Sequence, residues 1–214
     1  MVVATALAIL SLAFAPLPNV QGDTVLSQIE RMVSRPAIMC GDFEQRKSLV
    51  GLQHPLRSSG RFCVTTERGV LWSTVTPFPS TLRLTRQEIV ESEGGRVTSR
   101  IAVSQEPGVG IVSGLLFSVL GGDLEQLQGN FTIDAAVESA TWRARLLPKE
   151  SGMRRVIRSI DLSGGAFVRQ VTIVEASGDE TVISFSNIAT GNSALRPEDI
   201  RAFGALGDRR PPPR

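Results

Sequence analysis

The chain has 214 residues, 42% hydrophobic and 21% charged, with 23 Lys and Arg set against 21 Asp and Glu. That length and apolar share suit a single domain with a real core. A net charge of +2 leaves no electrostatic footprint for nucleic acid, and a single histidine, His54, leaves little from which to build an imidazole-based catalytic or metal centre.

Residues Val2 to Phe14 form an uncharged apolar run. It is shorter than the roughly 20 residues that span a bilayer and fits the apolar core of a secretory signal peptide, read here as residues 1–22. Ala13-Phe14-Ala15 has the small-x-small pattern of a cleavage site, but Pro16 disfavours it, and Val20-Gln21-Gly22 is the second candidate. No basic residue precedes the run, which points to a different start codon; the alternative to a signal peptide is an uncleaved anchor. No cysteine follows it to carry a lipid. The folded domain is expected over residues 23–206, and residues 207–214, rich in Pro and Arg, as a disordered tail.

Val25, Ile29, Met32 and Val33 have helical spacing, with Asp23 as the expected cap and Pro36 ending the helix. Strand patterns follow over Ile38 to Leu49 and Gly60 to Thr66, joined through a loop at His54-Pro55. After a turn at Glu67-Arg68-Gly69 come Val70 to Val75 and Thr81 to Thr85, with Leu82 and Leu84 on one face. Glu88 to Glu91 and Val97 to Ser104 flank the hairpin signal Gly94-Gly95. Cys40 and Cys63 are the only cysteines and fall on successive strands expected to pair. In an exported chain they can form a disulfide; the alternative is two buried thiols acting as small hydrophobes.

The pattern changes after Pro107-Gly108. Ile111, Val112, Leu115, Leu116 and Val119 lie at helical spacing in a segment, Val109 to Leu120, with almost no polar face. Gly121-Gly122 ends it, and Asp123 is placed to cap a short helix from Leu124 to Gln128. A helix so apolar is covered on most sides: either a core helix or a lid across a lipid cavity. Strands resume over Phe131 to Ala136 and Thr141 to Leu147, then Val156 to Leu162, Ala166 to Glu175 and Thr181 to Asn187, with a last helix from Pro197 to Phe203. In the second of these, Trp142, Ala144 and Leu146 face one way and Arg143 and Arg145 the other, the mark of a sheet with one buried and one wet face. The fold class expected is mainly β with α: one strongly curved antiparallel sheet, an open and incomplete β-barrel, with helices covering a concave hydrophobic cavity.

Catalytic chemistry finds no foothold. Gly108, Gly110 and Gly114 are spaced G-x-G-x-x-x-G, which does not match a dinucleotide-binding loop. Glu88, Glu91 and Glu93 read as a solvated hairpin face. The chain is therefore read as a non-enzyme without catalytic residues, metal or cofactor. Apolar surface is what recurs, and a hydrophobic cavity needs aliphatic and aromatic walls with few polar groups. Trp72, Leu82, Leu84, Ile101, Leu115, Leu116, Phe117, Trp142 and Ile173 are the candidate wall residues; for each the competing reading is ordinary core packing.

From Phe43 to Thr85 an F-x-Q strand is followed by a strand opening with Gly, and a Trp lies a dozen residues on, here Phe43, Gln45, Gly60 and Trp72. This stretch resembles the LolA family of periplasmic lipoprotein carriers, and the likeness extends over Val25 to Phe203. The resemblance implies the open barrel just described and a periplasmic carrier of lipoproteins or other lipidated cargo, acting as a monomer. It also implies an inner-membrane transporter that loads the carrier and an outer-membrane acceptor that unloads it. In that family an arginine on the second strand bonds the lid; ungapped matching puts Thr66 at its position, with Arg68 as the candidate for lid control and Arg61, on the face of Cys63, as the other option. The alternative is a periplasmic lipid-sensing or regulatory module of the same fold, and a more distant one is an envelope hydrolase using His54.

Overall fold

The computed structural model describes residues 24–102, 118 and 125–205. Helix α1 (Val25–Met32) leads into six strands: β1 (Ile38–Ser48), β2 (Leu56–Thr65), β3 (Gly69–Thr76), β4 (Ser80–Leu84), β5 (Glu88–Glu93) and β6 (Arg96–Ala102). Five more follow a short 3-10 helix (Glu125–Gly129): β7 (Phe131–Glu138), β8 (Thr141–Pro148), β9 (Ile157–Gly164), β10 (Val168–Glu175) and β11 (Glu180–Thr190). A four-residue helix α2 (Ser151–Arg154) sits between β8 and β9, and α3 (Pro197–Ala205) closes the described chain. Apart from residue 118, the expected helix over Val109 to Leu120 lies outside the described residues, as do the expected signal peptide and tail.

All eleven strands form one antiparallel sheet in the order β6-β5-β4-β3-β2-β1-β11-β10-β9-β8-β7. The chain thus starts in the middle, meanders to one edge, re-enters at the other edge and meanders back. β1 and β11 meet at the centre, joining the two halves. Laid flat, so many strands would be about 48 Å wide, and sheets of this size curl. Here one apolar cluster runs from Leu84 of β4 to Phe131 of β7 on a single face, which makes that face the concave one.

Bulges supply the curvature. β1 and β11 slip register between Cys40 and Asp42, where Asn187 adopts φ 51° and its side-chain Nδ2 donates to Asp42 Oδ2 at 2.8 Å. A second slip lies between Ser59 and Gly60, against β3. A β-carbon at Gly60 would come within 2.0 Å of the Ser73 carbonyl oxygen, so only glycine permits that approach.

Three expectations change. The cap of α1 is Thr24 in place of Asp23: its Oγ1 accepts the Ser27 amide at 3.2 Å. β2 begins at Leu56, not Gly60, because Leu56 to Ser59 ladder onto the polar end of β1, from Lys47 back to Glu44. α2 was not anticipated; it is one turn long and anchored by buried Met153.

The inner face carries Met39, Phe43, Phe62, Val70, Leu84, Trp142, Leu146, Ile160, Leu162, Val171, Ile183 and Phe185, covered in part by Ile29 of α1 and by Val33, which caps its C-terminus. A smaller cluster lies on the outer face, where Leu195, Ala202 and Phe203 cover Leu71, Val90 and the Cys40–Cys63 disulfide. α3 is held there by Asp199, which is 3.1 Å from Arg61 Nε and accepts the Arg196 amide at 2.9 Å, while Arg61 Nη2 donates to the Ala194 carbonyl at 2.6 Å. No helix among the described residues is long and apolar enough to cross a membrane.

The disulfide closes a loop with a sequence separation of 23. Loop-closure entropy for that length is about 3 kcal/mol. The Cys40→Ala/Cys63→Ala double variant is therefore expected to lose about that much in urea unfolding, with the same far-ultraviolet spectrum before the transition.

Candidate functional site

The inner face is organised by aromatic rings that two glycines make room for. Phe43 lies opposite Gly60, and Gly41 lies opposite Phe62. With no side chain at Gly60, the Phe43 ring stacks on Trp72 at a centroid distance of 3.9 Å and an interplanar angle of 27°. A β-carbon at Gly41 would fall 2.9 Å from the Phe62 ring. Phe185 then meets Phe62 edge-on at 5.1 Å and Trp72 at 6.1 Å. Offset stacking and edge contacts of this kind add about 0.5–1.5 kcal/mol each beyond area burial. Phe43, Gly60 and Trp72 thus form one contact.

Around this group the inner face splits by exposure. Leu84 and Trp142 are fully buried, and Trp142 Nε1 donates to the Gly165 carbonyl at 2.8 Å. Trp72, Leu82, Ile101 and Ile173 stand on the same face but stay half-buried, as do Ile89, Ile133 and Val137. Trp72 pairs directly with Leu82, and Ile101 with Ile89. Six of the nine candidate wall residues therefore share one face of the sheet, while Leu115, Leu116 and Phe117 lie outside the described residues. Polar groups on this face include Glu91, which pairs directly with Leu82, and, at one end, Lys47, whose Nζ bonds Glu175 Oε1 at 2.8 Å.

The two arginines considered for lid control are elsewhere. Arg68 is exposed in the β2–β3 turn, its amide bonded to Thr65 Oγ1 at 2.8 Å, and its side chain makes no ion pair with a described residue. Arg61 points to the outer face and is committed to Asp199. His54 is exposed in the β1–β2 loop. Cys40, Cys63 and Asp199 are the one group of potential metal ligands gathered among the described residues, and there the two sulfurs are bonded to each other. A hollow of about 400 Å³ has polar side chains of Asp134, Arg143, Arg145, Asp161 and Gln170 in its lining, with Arg145 and Asp161 paired at 3.0 Å.

Sequence reasoning missed Phe43, Phe62 and Phe185 as site residues. A signal for the first two was present. Once Cys40 is set opposite Cys63, antiparallel counting puts Phe43 on Gly60 and Phe62 on Gly41. Nothing local marks Phe185, whose strand pairs with β1 across most of the chain.

The family model for outer membrane lipoprotein carrier protein LolA-like chains matches residues 15–203. No curated protein matches the sequence. Among solved structures the chain is similar to a LolA superfamily protein from Nitrosomonas europaea, with 9% identity, a TM-score of 0.45 and coverage of 82% of this chain and 94% of that one. It is also similar to a proposed outer membrane lipoprotein-sorting domain from Vibrio parahaemolyticus, with 8% identity, a TM-score of 0.46 and coverage of 85% and 97%. For the MucA/MucB complex of Pseudomonas aeruginosa the identity is 15%, the TM-score 0.40 and the coverage 88% and 65%.

The split in burial sets an order of stability effects. Phe43→Ala removes a ring that is 1% exposed and should cost about 3–5 kcal/mol. Leu82→Ala, at a half-buried position, should cost less than half of that. Urea titrations of the two variants read the difference.

Proposed function

Because the chain belongs to the family of LolA-like outer membrane lipoprotein carrier proteins, we propose that it is a periplasmic carrier. It holds acyl chains of lipoproteins or other lipidated cargo against the concave face and ferries them from the inner to the outer membrane. The observation that carries this reading is the set of large apolar side chains left half-buried inside the curve, Trp72, Leu82, Ile101 and Ile173. A core that existed only for stability would gain by covering them fully, since burial contributes roughly 25 cal/mol per Å² of apolar area. An acyl chain lying on them supplies that cover. Each methylene it buries is worth about 0.8 kcal/mol, so a long chain binds by area alone, less the cost of ordering it. Leu84 and Trp142 form the floor beneath.

The proposed cycle makes and breaks no covalent bond. Cargo enters from an inner-membrane transporter, is shielded from water by a monomeric carrier, and leaves to an outer-membrane acceptor. Binding by apolar area is tolerant of cargo identity, because buried area carries little information about a headgroup. Glu91, opposite Leu82, and the Lys47–Glu175 pair at one end of that face are polar features a cargo headgroup would meet.

A brominated fatty acid tests the reading, because bromine quenches a tryptophan it touches. Quenching is expected in the Trp142→Phe variant, which keeps Trp72, and is expected to be lost in Trp72→Phe. Leu82→Glu should weaken uptake at least tenfold, since it places a carboxylate in the path of the acyl chain. Protein that leaves both tryptophans unquenched, and yields no lipid on extraction after periplasmic expression, would reduce the apolar face to a structural core.

A further inference from the structure

The connections β1–β2, β3–β4, β5–β6, β8–β9 and β10–β11 all lie at one end of the sheet. Large apolar side chains gather there in the open. Phe78 is 81% exposed, and Val50, Leu52, Leu56, Val75 and Val156 are each more than half exposed. At the opposite end, the connections 66–68, 85–87, 139–140 and 165–167 contain none of the strongly exposed large apolar residues among those described. A single exposed Leu is unremarkable, but a rim of them confined to one end of a molecule marks an interaction surface.

Phe78 is its most prominent member. It sits at the middle of a three-residue connection between Pro77 and Pro79. Proline fixes its own φ and leaves little freedom to the residue before it, so the ring is presented to solvent by a stiff loop and does not fold back on the sheet.

Charge decides what the rim meets. Arg57 follows Leu56, Arg155 precedes Val156, and neither makes an ion pair with a described residue. The carboxylates nearby are largely engaged: Glu175 with Lys47 at 2.8 Å, Glu180 with Arg46 at 3.9 Å, and Asp179 accepting the Val50 amide at 2.8 Å. Glu93 and Glu150 remain at this end, and Arg96 and Arg158 face them in number. Apolar tips ringed by free guanidinium groups are the pattern of a surface that lies at the headgroup boundary of an anionic bilayer.

We propose that this end of the sheet seats the protein on the surface of an anionic lipid bilayer, with Phe78 and Leu52 entering the acyl boundary and Arg57 and Arg155 meeting lipid phosphates. Leu56 and Lys47 pair on the inner face of the sheet at this same end. Contact here therefore brings the rim of the apolar hollow to the membrane.

Co-sedimentation with sucrose-loaded vesicles tests it, using phosphatidylcholine alone and equal parts phosphatidylcholine and phosphatidylglycerol. Binding to the anionic vesicles is expected, weakening as salt is raised. Phe78→Ser should weaken it about tenfold, and Arg57→Gln about fivefold. Ile200→Ser, an exposed position on α3, should leave it unchanged. Uptake of the brominated fatty acid by Phe78→Ser should stay at the parent level, so failure of docking is read separately from failure of the carrier reading. Absence of binding to both vesicles, or equal binding by Phe78→Ser, overturns the proposal. So does a concentration-dependent dimer in sedimentation velocity that Phe78→Ser dissolves, which would assign the rim to a second copy of the chain.

Discussion

The pairing of β1 with β11 is the constraint on which the rest of the structure depends. Every other strand pairs with its neighbour in sequence through a short connection. Without β1·β11 the chain would be two meanders with no common sheet, and two more exposed strand edges would be left to aggregate. The pairing closes a loop of most of the chain, so its entropy cost is met only when both halves are already in place. β1 is fastened on its other side as well, by the ladder and the disulfide to β2. The two devices act on the same strand from opposite sides: one crosslinks locally, the other joins distant segments.

Because β1 is central, its alternation distributes chemistry to both faces. Met39, Gly41 and Phe43 point into the curve; Cys40 and Asp42 point out. Inward, Gly41 and Gly60 leave space and aromatic rings fill it. Outward, Cys40 joins Cys63, and α3 covers the pair. The buried Arg61–Asp199 ion pair belongs to that outer cover. Taking two charges out of water costs several kcal/mol per ion, and the extra bonds from Arg61 to the Ala194 carbonyl and from the Arg196 amide to Asp199 offset part of it. The outcome is an outer face with a small rigid patch, and an inner face whose main fixed features are hydrophobic. The inner face can then vary without disturbing the anchor of the C-terminal helix.

How much of this was legible in the sequence depended on the range of the interaction. β8 could be read directly: Trp142, Ala144, Leu146 and Pro148 are buried and the residues between them exposed. Local alternation is enough when one face is dry and the other wet. The polar half of β2 was not legible, since Leu56 to Ser59 carry no alternation and are strand only because β1 offers them a ladder. The bulge at Asn187 left no mark beyond an Asn, a residue that tolerates positive φ. Arg61 was assigned to the face of Cys63 from strand parity, but its partner lies 138 residues away, and periodicity says nothing about partners at that distance. The same limit hid Phe185 and the docking of α3. For the candidate site, the face of each described wall residue could be read, whereas its depth could not. Leu82 and Leu84 look alike in sequence, yet one is half-buried and the other sealed, because depth is set by curvature and curvature by the bulges.

Curvature also explains why the sheet stops short of closing. β6 and β7 are its two edges, and a closed barrel would pair them and remove both liabilities. Their sequences are instead those of blunted edges. β6 carries Arg96 and Arg100, the latter paired with Glu88; β7 exposes Thr132, Asp134 and Glu138. Charge at an edge disfavours pairing with another chain, including a second copy of this one. A closed barrel of this many strands would hold its inner face behind a continuous wall of hydrogen bonds and admit a ligand only through its ends. An open sheet with protected edges keeps the half-buried residues of β3, β4, β6 and β10 reachable from the side, at a cost in backbone pairing confined to two strands.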